Sequence, residues 1–471
     1  MVQKKSSRAI SLRDNTSVFR VALLIDLILC QIGYIDVVFI VAAVCIFLWG
    51  LSLFTRKYIY TLNIKDIKHC KLLLAFIGSN IITILIQGYD RGMWESLGMI
   101  FNITLLFFMY YGVHTEAKTT EGRRKIYKEI YALSTIMLWL SLIINIISIV
   151  SLYIIGQSIN YYFGYLVVYE NRFTGIYYNP NLMAFTSFCA MFCCHLLWQG
   201  DFYERASGKP LTNQKKALIL FSAGMNLVVI FLTDSNASML IIVCYVAAYI
   251  FYKMFGGRDI NIRYALKKGV TVILLFAMFA VGIFAIRLGF QTTATQTMTS
   301  SEESSNVFED REDELNKITF EHTNKNLDSG RIKLFKQGIN VIKHHPLFGV
   351  GKGEITKYGN RYNDNKMKYS DLHNGYLTLL VSSGFIGFGI FMAFSVLTAK
   401  EIIKTLFSAR PMIKNDILPC IFAFLASYCV YALFERTLVY GATLMVYIFW
   451  AMLGYAMVCV EEYSDMKERN Q

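Results

Sequence analysis

The sequence predicts an all-α, polytopic integral membrane protein of about twelve transmembrane helices with one large extracytoplasmic loop. Three observations carry this. The chain is 55% hydrophobic and only 17% charged, with five prolines in 471 residues; a soluble chain of this size carries more charge and spreads its apolar residues in stripes. Its apolar residues come in runs of about 18 to 25, enough to cross a hydrocarbon layer roughly 30 Å thick. Basic residues lie overwhelmingly on one side of those runs.

Taken in order, the runs fall near 18–33, 35–54, 71–89, 95–113, 131–155, 180–198, 216–233, 237–253, 269–290, 374–399, 415–435 and 438–459. With the N-terminus inside, the segments on that side hold 29 basic residues, among them Lys4, Arg56, Arg123, Lys215, Lys267 and Lys404. The short segments opposite hold three, Arg91, Arg172 and Arg436. The long segment 291–373 holds 12, but loops of that length escape the positive-inside bias. Arg20 and Arg287 lie within spans. This asymmetry predicts both termini in the cytoplasm of a plasma (inner) membrane protein. It also accounts for the net charge of +13 without a nucleic-acid partner. Residues 1–17 lack a cleavage site, so the first span reads as an uncleaved anchor.

The chain divides into spans one to nine (1–290), the large loop (291–373), and spans ten to twelve with a cytoplasmic tail (374–471). The ten cysteines fall in or beside spans, so no disulfide framework is readable. Cys189, Cys193, Cys194 and His195 have helical spacing, but without a second ligand group they read as a packed helix face rather than a metal site.

Two segments are large enough to build a site outside the membrane. The first, 156–179, is aromatic and polar and too interrupted to span, and its tyrosines suit a membrane interface. The second is the loop 291–373. Its first part is Thr/Ser-rich and then acidic (Glu302 to Glu314), without the alternation of a calcium loop. After Ser329, a plausible N-cap, comes RIKLFKQGINVIKHHP. Ile332, Phe335, Ile339 and Ile342 fall on one helical face and Arg331, Lys333, Lys336 and Lys343 on the rest, a basic amphipathic helix that suits a membrane surface. Pro346 ends it. GVGKG (349–353) lacks the spacing of a phosphate-binding P-loop and reads as a turn.

Polar residues gather at the ends of spans on the loop side: Arg172, Asn179 and Asn181; Asp234, Ser235 and Asn236; Arg287; Arg331 and His373; Glu435 and Arg436. Loops of a few residues cannot hide such groups from lipid, so they are expected to face a shared polar cavity. His373 stands out. It sits where the long polar segment enters a hydrophobic helix, and an imidazole titrates near the pH of the cell surface.

The spacing around it is specific. Arg331 is followed by PLFGVGKGE (346–354), then His373-Asn374, nine residues, and Gly384-Phe385-Ile386-Gly387. This resembles the O-antigen ligase and polymerase superfamily of bacterial surface-polysaccharide proteins, whose ligases carry His–(Asn/Ser/Gln)–nine residues–GxxG at this junction. RFTGIYYNPN (172–181) is similar to that family as well. One position departs. Family ligases have a Ser-Arg pair in the helix corresponding to LTDSNASML (232–240), where this chain has Asn236. Arg172, Arg287 and Arg436 are the candidates to supply that charge. Gly384, Gly387 and Gly389 read as close helix packing rather than substrate contacts.

The resemblance implies a GT-C-like fold and glycosyl transfer from an undecaprenyl-diphosphate-linked oligosaccharide to an acceptor hydroxyl, with no cofactor and no metal. It assigns His373 as general base, Arg331 and Arg172 to the diphosphate, and Asn181 or Asn374 to orienting the sugar or the imidazole. Asn236, Arg287 and Arg436 complete the expected substrate contacts. Membrane lipids, a chain-length regulator and a flippase are the implied partners. Arginine suits a leaving diphosphate because its planar guanidinium is permanently charged and binds bidentately. Three functions fit such a chain: a polysaccharide polymerase, a ligase that moves the finished glycan, and a flippase. Transport predicts ionisable groups at the bilayer midplane and paired broken helices, neither of which is visible. A Lys-, Asn- and Tyr-rich composition together with Asn236 tilts the reading toward polymerase.

Overall fold

The architecture below is that of a computed structural model. It describes residues 15–32, 36–59, 63–88, 91–155, 168–169, 172–255, 277–289, 331–363, 372–408 and 417–469, with Thr271, Leu274 and Met367 besides. The acidic run at 302–314, Ser329 and most of segment 156–171 lie outside the described residues.

The fold is all-α and polytopic. The helices are α1 (Asn15–Leu29), α2 (Asp36–Phe54), α3 (Cys70–Gln87), α4 (Arg91–Leu105), α5 (Thr120–Ile155), α6 (Pro180–Trp198), α7 (Gly200–Ser207), α8 (Asn213–Leu232) and α9 (Asn236–Phe255). They continue with α10 (Ala277–Gly289), α11 (Arg331–His344), α12 (Ile355–Arg361), α13 (Gly375–Ser408), α14 (Leu418–Tyr431) and α15 (Leu444–Arg469). Nine helices among the described residues are long and apolar enough to cross a membrane. The described parts of the other three expected spans are α1, α10 and α14, and α14 ends at Tyr431, short of the expected span. The reason is plain at α14. The chain leaves the helix after Tyr431 to place Glu435, Arg436 and Thr437 in a non-helical loop before α15.

α15 is the central helix. Of its most apolar stretch 94% is buried, against 17% for the stretch beginning at Val38 in α2, the most apolar of the nine. The α2 residues Val38, Val41, Val44 and Leu48 are exposed, as suits a helix whose solvent is lipid. Around α15 the core is aromatic. Trp450 stacks on Phe394 with centroids 5.9 Å apart, Phe107 meets Trp450 at 4.8 Å, and Tyr447 lies edge-on to Tyr110 at 5.0 Å.

One end of the bundle is locked by charge. Arg20 of α1 is 1% exposed. It donates to Glu129 of α5 through Nε and Nη2 (both 2.7 Å) and to Glu116, after α4, through Nη1 and Nη2 (both 3.0 Å). Lys57 also pairs with Glu116, and the Tyr455 hydroxyl donates to Glu129 at 2.7 Å. Each charge of this cluster therefore has an opposite partner, the condition under which charges survive in a low-dielectric interior.

α13 is broken at Gly384, whose φ of 65° and ψ of −175° are not helical. The break exposes backbone groups, and the PLFGVG segment fills it. Val350 and Gly351 donate their N–H groups to the carbonyls of Val381 and Ser382 (3.0 and 2.9 Å). Phe385 and Ile386 donate to the carbonyls of Pro346 and Leu347 (2.8 and 3.1 Å). α3 closes the clasp from the side: Thr83 donates to the Phe348 carbonyl at 2.6 Å and Gln87 to that of Gly349 at 3.0 Å. The three glycines thus do not share the helix-packing role expected of them. A Cβ added at Gly387 would fall 3.0 Å from the Ser79 hydroxyl of α3, whereas one added at Gly389 would meet open space and Gly384 serves the break.

Candidate functional site

α6 runs antiparallel to α14. Phe185 stacks on Tyr431 (5.1 Å), Phe188 on Phe424 (5.7 Å), and His195 at the far end of α6 reaches the Cys420 sulfur at 3.8 Å. The start of α6 therefore lies at the same end of the bundle as the α14–α15 loop. His195 also hydrogen-bonds the Tyr245 hydroxyl (2.6 Å) and meets the Tyr249 ring edge-on, so it belongs to an aromatic packing layer.

Two clusters form at this end. The first is cationic. Antiparallel strands β1 (Val168–Tyr169) and β2 (Arg172–Phe173) lead into the Asn179 N-cap of α6, whose side chain accepts from the Asn181 N–H at 2.8 Å. Arg172, 8% exposed, donates through Nε to the Thr233 carbonyl (2.9 Å) and through Nη2 to the Asn181 side-chain oxygen (2.6 Å). It is thereby aimed across the α8–α9 turn. There Arg287, from the end of α10, donates to Asn236 Oδ1 at 2.9 Å and pairs with Asp234. Its Nε is buried without a hydrogen-bond partner among the described residues. The Arg172 and Arg287 charges lie close enough to act on each other. Two buried guanidinium groups near one another, one of them paired with Asp234, make an arrangement that suits an anion. Of the three arginines named as candidates to supply the charge absent at position 236, Arg287 is the one that hydrogen-bonds Asn236.

The second cluster links three elements through one carboxylate. Glu435 Oε2 lies 3.6 Å from His373 Nδ1, and Oε1 lies 3.5 Å from Arg331 Nη2. The Arg331 guanidinium also sits 5.9 Å from the centre of the Phe434 ring. Glu435 is 9% exposed. His373 has a left-handed backbone (φ 44°), as does Asp234 (φ 51°). A non-glycine residue held there costs about 1–3 kcal/mol, and such strain concentrates at functional sites. What holds His373 is the start of α13: Gly375 donates its N–H to the Ala432 carbonyl at 2.7 Å, and Leu377 N–H reaches Asn374 Oδ1 at 2.9 Å.

The structure thus joins Arg331 to His373 through Glu435, Arg172 to Asn181, and Arg287 to Asn236. Asn374 gives its side-chain oxygen to the helix cap, and Arg436 follows Glu435 on the same half-buried loop. Sequence reading placed Glu435 and Asp234 at this end but gave neither a role. No local pattern could have paired them, because each partner comes from a distant part of the chain.

Residues 219–392 match the family model described as O-antigen ligase. No curated protein matches the chain significantly. The matched stretch contains Asn236, Arg287, Arg331 and His373, while Arg172 and Glu435 lie on either side of it and fold back onto it. That segment, inside a polytopic helical fold, is similar to the O-antigen ligase family, which supports the resemblance to the O-antigen ligase and polymerase superfamily.

Proposed function

We propose that the protein transfers a glycan from a polyprenyl-diphosphate carrier to an acceptor hydroxyl at the extracytoplasmic face of the plasma membrane. The observation that carries this reading is the occurrence, at one end of the bundle, of a histidine and an arginine sharing the Glu435 carboxylate and of a second cluster with two buried guanidinium groups. Arg172 and Arg287 hold the donor diphosphate. His373 takes the proton of the acceptor hydroxyl as its oxygen attacks the anomeric carbon. The bond from that carbon to the carrier phosphate breaks, and the electron pair leaves with the diphosphate, whose growing charge the guanidinium groups stabilise. Contacts of this type contribute about 1.5–3 kcal/mol each, and more where water is excluded. Glu435 balances the imidazolium and fixes Arg331 beside it. The protein's own cations meet the leaving charge, so the step is proposed without a metal.

The acceptor separates two forms of the reaction. The ligase form draws on the family match and on Arg287, which brings a cation to Asn236. The polymerase form rests on the substitution at Asn236 itself and on composition. Analysis of lipid-linked glycans after gene deletion tests both. Single repeat units on the carrier identify a polymerase, and long polymer stranded on the carrier identifies a ligase. Complementation with His373→Ala is expected to leave protein level intact and product reduced by about 10²–10⁴-fold, the usual contribution of a general base. Full restoration by this variant would overturn the assignment.

A further inference from the structure

α11 was expected to carry a single apolar face of Ile332, Phe335, Ile339 and Ile342. It carries two. Leu334, Gly338, Val341 and Ile342 are buried in a small core that reaches Leu372 and Val381. Ile332 and Ile339 are instead 53% and 45% exposed, with Phe335 half-buried between them. At about 100° per residue this second stripe lies directly between the buried face and the exposed lysines 333, 336 and 343. Leu347, just past the helix, is 59% exposed and is clasped to Ile386. Phe385 and Ile386 are themselves exposed on α13, a membrane-crossing helix.

A surface that passes from a lipid-facing span, through Leu347, to a helix flanked by lysines has one fitting occupant. We infer that α11 lies in the membrane interface, with Ile332, Phe335 and Ile339 dipping into the acyl layer and Lys333, Lys336 and Lys343 meeting anionic headgroups. Apolar residues beside a lysine-rich face give that geometry. The clasp sets the depth, because Leu347 is bonded to a residue already in lipid. The N-terminal residue of the helix is Arg331, so its seat in the leaflet holds that guanidinium at headgroup level. The inference concerns where the helix sits and stands independently of the reaction proposed above.

The test uses the full chain in nanodiscs of phosphatidylglycerol and phosphatidylcholine, a fraction of each lipid carrying a diazirine in its acyl chain. After photolysis, labelled peptides are mapped by mass spectrometry. The expected result is label on the peptide containing Ile332 and Ile339, alongside label on the Phe385 peptide of α13. Ile332→Ser/Ile339→Ser should lose the first and keep the second, with amide exchange across α11 unchanged to show that the helix still folds. Replacing Lys333, Lys336 and Lys343 by Gln should reduce label from the phosphatidylglycerol probe more than from the phosphatidylcholine probe. An α11 peptide without label in a sample whose α13 peptide is labelled overturns the inference. So does label that survives the double serine variant.

Discussion

Glu435 is the residue on which the proposed chemistry turns, because its two oxygens face a base and a cation on separate elements. A carboxylate beside Nδ1 fixes the imidazole's orientation and stabilises the imidazolium formed when Nε2 accepts a proton, as in carboxylate–histidine pairs generally. Glu435→Gln keeps the shape and removes the charge. Its expected effect is a loss of roughly tenfold or more in kcat, equivalent to one pKa unit of interaction, with little change in KM. Glu435→Asp should recover part of that loss. Steady-state rates with a lipid-linked donor check this, and an unchanged kcat in the Gln variant would reduce Glu435 to a structural bridge. Arg287 makes a similar point. A guanidinium from α10 donates to the Asn236 side chain, so a cation lies beside position 236 although the residue there carries none.

At the scale of elements, the clasp between PLFGVG and the break in α13 gives a physical reason for two motifs to occur together. The GxxG spacing does not create a binding loop. It opens a helix so that another segment can complete its hydrogen bonds, and His373 sits at the start of the helix so anchored. Gly384 has a positive φ, and an added Cβ would fall 2.2 Å from the Leu347 carbonyl oxygen. Gly349, also at positive φ, would meet the Val381 carbonyl at 2.5 Å. Gly384→Ala should therefore destabilise the protein by at least about 1–3 kcal/mol from backbone strain, with the clash in addition. Thermal unfolding in detergent should show the lowered midpoint, and Gly389→Ala, with open space around it, should not.

At the scale of the whole molecule, the end opposite the site is fastened by Arg20. Its guanidinium joins α1 to α5 and to the segment after α4 with both carboxylates held in forks. Removing one member leaves the others charged and buried, which costs about 3–5 kcal/mol. Arg20→Ala is expected to show that loss as a lowered midpoint in detergent unfolding. Arg20→Lys should recover only part of it, because an ammonium cannot form two forks at once. Equal stability of the Ala variant would mean that water reaches the cluster.

The sequence by itself determined the fold class, the positions of nine membrane-crossing helices and which charged residues would stand at the candidate site's end of the bundle. Those properties are local: an apolar run, a helical period and a motif spacing each lie within a few turns of chain. Tertiary structure alone decided which helix is central. Lipid and protein interior are equally apolar, so the composition of α2 and α15 could not reveal that the more apolar of them lies outside. It also decided that the apolar residues of α11 divide between two faces, since period alone cannot say which side meets a partner. The pairs His373 with Glu435 and Arg287 with Asn236 likewise join positions far apart in the chain, where only the packing of helices sets the distance.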